Sequence, residues 1–120
     1  MTMMEALEKS GVNVVETLRR FGENVGLLER FIRKFPQDET FGKLEAAIQQ
    51  QNYHEAELLA HTLKGTSANL GFQELSRRCA DMVAALRGGR VAEMEFLFPA
   101  VSDEHQKIVG LLQEIELEKR

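Results

Sequence analysis

Apolar residues fall at helical spacing along nearly the whole chain, and the pattern is punctuated at Pro36, Gly71, the Gly88–Gly89 pair and Pro99. Sustained alternation of apolar and polar residues is absent and β-branched runs are few, so the pattern admits an all-α fold rather than a sheet. A first short helix is predicted over Val12–Arg20. A second starts near Asn24 and turns Leu28, Phe31, Ile32 and Phe35 inward before Pro36 ends it. A third starts near Asp38, whose charge suits a helix N-terminus, carries Phe41, Leu44, Ala47 and Ile48 as its stripe, and ends near Gln51. Asn52 and Glu55 have capping-box spacing, which predicts a fourth helix over Tyr53–Asn69, with Gly71 supplying the left-handed residue that stops it. A fifth turns Leu75, Cys79, Met82, Val83 and Leu86 inward as far as Gly88–Gly89. From Val91 onward the pattern is helical; Pro99 is predicted to kink it or to begin a fresh helix, with Ile108, Leu111, Leu112 and Ile115 packing beyond. Short connections between amphipathic segments favour antiparallel neighbours. The predicted architecture is an up-and-down antiparallel four-helix bundle with an additional short N-terminal helix.

Composition narrows what such a bundle does. The 120 residues, 43% of them hydrophobic, fit a single domain over residues 1–120. A net charge of −4 supplies no broad basic surface for nucleic acid. A lone cysteine, Cys79, leaves no intrachain disulfide and no cysteine metal cluster, which suits the cytoplasm. The N-terminus has no signal-peptide core, and no apolar run is long enough to span a membrane. The initiating methionine favours a free-standing protein, and a monomer is the simplest expectation.

Chemistry concentrates on the predicted fourth helix. At about 100° per residue, Ala56, Leu59, Leu63, Thr66 and Leu70 share one arc and face the core, while His61 lies about 160° from Leu63 and is expected in water. Around His61 the wheel places Glu57, Leu58, Lys64 and Gly65, with Ala68 two turns on. Gly65 is the informative neighbour: a glycine inside a helix costs about 1 kcal/mol relative to alanine, and turned away from the core it leaves the histidine open to close approach. A solvated imidazole is largely neutral near neutral pH, so one ring nitrogen keeps a lone pair and serves as a nucleophile. Lys64, three residues on, places a cation where a phosphoryl group on that nitrogen has its oxygens. The chain has no phosphate-binding glycine loop and no carboxylate cluster suited to Mg²⁺, so binding of ATP and autophosphorylation are not expected.

The stretch from Ala60 to Gly71, Ala-His-Thr-Leu-Lys-Gly-Thr-Ser-Ala-Asn-Leu-Gly, resembles the signature of histidine-containing phosphotransfer (HPt) domains of two-component phosphorelays. A weaker likeness covers Arg20-Phe21, Leu27-Leu28, Phe31, Leu44–Ile48, Asn52–Ala56 and the segment down to Gly88–Gly89. The resemblance implies a helical bundle in which His61 accepts a phosphoryl group from the aspartate of one response-regulator receiver domain and passes it to another. It implies that Lys64 steadies the phosphoryl oxygens, that Gly65 leaves room for the receiver's loops, and that Glu57, Leu58 and Ala68 lie in the docking surface. It further implies a phosphocarrier with no cofactor of its own: Mg²⁺ comes with the partner, a receiver domain that in some pathways belongs to a hybrid sensor histidine kinase. Many members carry a polar residue, often glutamine, on the following helix where it can bond the histidine; Cys79–Val83 has no glutamine, and the wheel turns Asp81 away from the core arc.

Two competing readings have weaker support. A non-catalytic receiver-docking module needs no nucleophile on that face. A metal site at His54, Glu57 and His61 fails on spacing, since seven residues separate the histidines, about 10 Å along the axis. His54 and His105 are expected on solvated surfaces, Cys79 as a small core residue, and Arg77, Arg78 and Arg87 on a solvated face, with Arg77 in reach of an acidic receiver surface.

Overall fold

The computed structural model describes residues 2–118. Seven α-helices follow one another: α1 Met3–Lys9, α2 Val14–Arg20, α3 Val25–Lys34, α4 Thr40–Gln49, α5 Tyr53–Asn69, α6 Gln73–Arg87 and α7 Met94–Glu118, with single 3-10 turns at Phe35–Gln37 and Val91–Glu93. No strand occurs among the described residues. The fold is an all-α bundle in which α4 packs on α5, α5 most extensively on α6, and α6 on α7.

Local chemistry accounts for the boundaries. Side-chain oxygens of Thr2, Asn13, Asn24 and Asn52 each accept an N–H from the first turn of the helix that follows, satisfying donors that a helix start otherwise leaves unpaired. At Asn52 only this forward half of the capping box forms: among the described residues no hydrogen bond runs back from the Glu55 carboxylate. Asp38 serves α4 similarly, accepting the Thr40 N–H at 2.8 Å. At the far end of α5, Gly71 takes φ +87° and the Phe72 N–H returns to the Ser67 carbonyl at 2.8 Å, a left-handed C-terminal cap. Gly71 has a second reason to be glycine. A Cβ there would lie 2.4 Å from Thr17 Oγ1 and 2.9 Å from Val12 Cγ1, so α2 rests directly on the α5–α6 turn.

Several expectations need correction. The helix α1 was not foreseen, although Met3, Ala6 and Leu7, all buried, have the spacing of an inward face. Phe31 is 46% exposed rather than inward; the buried row of this segment is Leu28, Ile32 and Phe35, and the Phe31 ring instead tilts against Phe21 with centroids 5.6 Å apart. Phe41, Ile48 and Leu111 are half-buried. On α5 the fully buried stripe is Ala56, Ala60, Leu63 and Ser67, continued by Leu70, while Leu59 and Thr66 are only half-buried. The small residues Ala60 and Ser67 mark where a neighbouring helix comes close. Pro99 begins no new helix: α7 runs through it as one element of 25 residues. An interior proline costs about 3 kcal/mol locally, and burial of Met94 and Val101 on one side and Ile108, Leu112 and Ile115 beyond outweighs it.

Candidate functional site

The turns at either end of α5 fix which way its outer side faces. Burial of Ala56, Ala60, Leu63 and Ser67 leaves His61, Gly65 and Ala68 exposed and Leu58 50% exposed. Lys64 and Glu57 are half-buried on the flank toward α6. The six residues singled out in the sequence therefore share one side of one helix, as the wheel requires.

The surroundings of Gly65 separate two explanations for it. A glycine that let a neighbouring helix pass would have that helix against its Cα, yet a Cβ built on Gly65 meets nothing within 4 Å. The open space lies outside the chain, beside the imidazole one turn back. Among the described residues no hydrogen bond reaches the His61 ring, and the residue is exposed. Asp81 does not orient it; that carboxylate takes a bond from Arg77 Nη1 at 3.4 Å.

The helix that carries His61 is nonetheless firmly held. Ser76 of α6 donates its hydroxyl to the Lys64 carbonyl at 3.0 Å. Arg20 of α2 donates Nη2 to the carbonyls of Ala68 and Asn69 at 3.0 and 3.2 Å, tying the α5 C-terminus with a cation that also suits the negative end of the helix dipole. Arg87 of α6 donates Nε to Glu57 Oε2 at 3.1 Å. Sequence reading had no means of finding Ser76 or Arg20, because each acts on a backbone carbonyl that only the tertiary fold brings near.

The remaining titratable residues divide differently from expectation. His105 is not on a solvated face: it is half-buried and stacked on Phe41, with centroids 4.0 Å apart and planes 8° from parallel, and tilted against Phe35 at 5.6 Å. Burial pushes its imidazole below the ordinary value, and the Asp38 carboxylate partly opposes that shift. Arg78 is likewise no solvated bystander, since it donates to the Ala100 carbonyl at 2.7 Å and to Glu74 at 2.9 Å. Hydrogen bonds from Arg77 and then Arg78 lower the Glu74 carboxyl to about 2. Cys79 is fully buried, and burial pushes its thiol up to about 12. His54 is exposed at the start of α5.

A family model for the Hpt domain matches residues 26–116. The chain belongs to the Hpt domain family. Hpt domains are phosphocarrier modules of two-component signalling that interact with receiver domains, and the all-α bundle is their architecture. The match takes in α4 through α6 whole and most of α3 and α7, with the His61 face inside it; α1 and α2 lie before it. Comparison with curated proteins and with solved structures gives no match. Among the described residues no helix is long and apolar enough to cross a membrane.

Proposed function

We propose that His61 is the phosphoryl carrier of this Hpt domain, taking the group from the aspartyl phosphate of one receiver domain and passing it to the aspartate of another. The observation that carries this reading is the exposed imidazole of His61, which no hydrogen bond among the described residues reaches, beside the open space at Gly65, within the span that matches the family. In the transfer, the lone pair of the unprotonated ring nitrogen forms a bond to phosphorus. The phosphorus–oxygen bond to the aspartate breaks, and its electron pair returns to the carboxylate. Delivery to the second receiver is the same step in reverse.

Lys64 supports the oxygens of the transferred group, and Gly65 admits the receiver's loops to the imidazole. Leu58 and Ala68, exposed on the same side, form the apolar part of the docking surface, with Glu57 at its edge. A receiver domain would hold the Mg²⁺, which would supply screening of the phosphoryl charge; this chain contributes the nucleophile, one cation and access. The setting for such an exchange is the cytoplasm, with residues 1–120 acting as one domain and, as the simplest form, a monomer.

The test is transfer of a radiolabelled phosphoryl group from a phosphorylated receiver domain in the presence of Mg²⁺, comparing wild type with His61→Gln, His54→Gln and His105→Gln. Label lost only in His61→Gln, stable to alkali and labile to acid as a phosphoramidate is, supports the carrier role. Binding of receivers without labelling by any of them would instead favour a docking module that carries no phosphate.

A further inference from the structure

Among the described residues, side chains of α6 bond to the main chain of α5 at a single point, and it lies beside the glycine that opens His61. Ser76 Oγ donates to the Lys64 carbonyl at 3.0 Å, and that carbonyl belongs to the peptide unit joining Lys64 to Gly65. No other helix reaches the α5 main chain, among the described residues, before Ala68 and Asn69, where Arg20 binds. The bond is not the one a helical serine makes by default. Within a helix a serine hydroxyl ordinarily turns back to a carbonyl three or four residues earlier, whereas Ser76 is twelve residues from its acceptor and crosses to the neighbouring helix. A carbonyl has two lone pairs, so the Lys64 oxygen takes both this hydroxyl and the Ala68 N–H, its partner inside α5.

Such a bond matters most where a helix is otherwise least constrained. Glycine has more backbone freedom to lose than any other residue, and nothing packs within 4 Å of where a Gly65 Cβ would be, so no side-chain contact holds α5 at this residue. The same peptide unit ends the turn that runs from His61 to Lys64. A small change in the torsions flanking it alters how the Lys64 stem lies relative to the imidazole, and group transfer slows steeply when reacting groups leave their aligned positions. We propose that Ser76 is a positioning residue for phosphoryl transfer: by fixing the Lys64–Gly65 peptide unit it compensates for the glycine that access requires and keeps Lys64 in register with the oxygens of a group on His61. The glycine opens the face and the serine holds it. This inference rests on His61 being the carrier.

The experiment uses the full chain with Ser76→Ala, with Ser76→Cys, whose thiol is a weak donor, and with Ser76→Thr, which keeps the hydroxyl. Ser76→Ala is also made with Gly65→Ala and compared with Gly65→Ala alone. Single-turnover transfer from a labelled receiver domain with Mg²⁺, over a range of receiver concentrations, separates the rate at saturation from the half-saturating concentration. Ser76→Ala and Ser76→Cys are expected to lower the saturated rate about three- to tenfold while half-saturation stays within twofold of wild type, and Ser76→Thr is expected to recover most of the rate. The effect of Ser76→Ala should shrink in the Gly65→Ala background, where alanine already restricts the backbone. Hydrogen exchange followed by NMR should show the Ala68 amide, which shares the Lys64 carbonyl, exchanging several-fold faster in Ser76→Ala than in wild type. A saturated rate within twofold of wild type for Ser76→Ala would overturn the proposal. So would a change in half-saturation alone, an undiminished effect with Gly65→Ala, or a loss in Ser76→Thr equal to that in Ser76→Ala at unchanged melting temperature. Absence of label on His61 from any receiver overturns it together with the carrier reading; labelling that is lost in His61→Gln but indifferent to Ser76→Ala overturns it alone.

Discussion

The outer side of α5 and the joints around α2 and α7 each hold a histidine and a glycine, and the fold treats the two sets in opposite ways. His61 is exposed and no hydrogen bond among the described residues reaches it, and Gly65 has only empty space where a side chain would be. His105 lies flat against Phe41, and Gly71 sits at a left-handed φ with Thr17 pressed against its Cα. In the second set each residue is explained from within the chain: the ring fills an aromatic stack, and the glycine makes a turn under a packed helix. In the first set no contact among the described residues accounts for either residue, and the proposed docking of a receiver domain would. Identical residue types thus separate into packed and open ones by what surrounds them.

The sharpest way to break this contrast is to exchange the histidines' consequences. His61→Gln is expected to reduce phosphoryl acceptance by at least about a hundredfold, as loss of a covalent nucleophile does, with helicity and melting temperature unchanged because the side chain is exposed. A fall in helicity measured by circular dichroism would show that His61 belongs to the packing. Next in size comes Gly71→Ala, which forces alanine into the left-handed region and drives a methyl into Thr17. That hydroxyl cannot simply turn aside, since it donates to the Asn13 carbonyl at 2.8 Å and receives Arg20 Nη2 at 3.3 Å. The expected loss is about 2–4 kcal/mol in urea unfolding, and a loss under about 0.5 kcal/mol, the size of an ordinary surface change, would mean that α2 is not seated on the turn.

How much of this was legible beforehand follows from the range of the forces involved. The bounds of α5 could be read to the residue because Asn52 and Gly71 act within a few positions of themselves. The exposure of His61 could be read because a helix of seventeen residues averages out small errors in the wheel. Even so, the core stripe was misplaced toward Leu59 and Thr66, because hydrophobicity ranks those residues above or beside Ala60 and Ser67, whereas close helix packing selects small ones. His105 was misread because its neighbours, Phe35 and Phe41, come from other parts of the chain. Arg78 was misread for the same reason, its acceptor being a carbonyl on α7. At Pro99 the alternative of a fresh helix follows a local rule that tertiary packing overrode, since α7 runs through as one element. The helix α1 shows a different failure: its spacing was present in Met3, Ala6 and Leu7 but seven residues give a weak signal.

Gly65→Gln sharpens the comparison from the open side. With nothing within 4 Å of the new Cβ, the bundle should be as stable as wild type or up to about 1 kcal/mol more so, since glycine is a poor helix former. Transfer from a receiver should nevertheless slow, about tenfold or more, as a misplaced approach does. Equal transfer rates would remove the access argument while leaving His61 as carrier. Cys79 offers a check from the closed side: with its thiol pushed up to about 12 and its side chain fully buried, it should resist alkylation at neutral pH in the folded protein and react on unfolding.

The smallest effect is the most specific to His105. Because burial lowers its imidazole in the folded chain, the unfolded chain takes up the proton first on acidification. The stability it contributes is therefore complete above the ordinary histidine value, about 6.5, and is lost as pH falls from there through the lower folded value. His105→Gln should cost about 1 kcal/mol near neutral pH through the lost stacking on Phe41 and should flatten the stability profile over that acid window. The same substitution should leave phosphoryl acceptance unchanged. Urea unfolding at a series of pH values measures this directly. A wild-type profile no steeper than that of His105→Gln would place the ring in water, and the distinction between the two histidines would then rest on Gly65 alone.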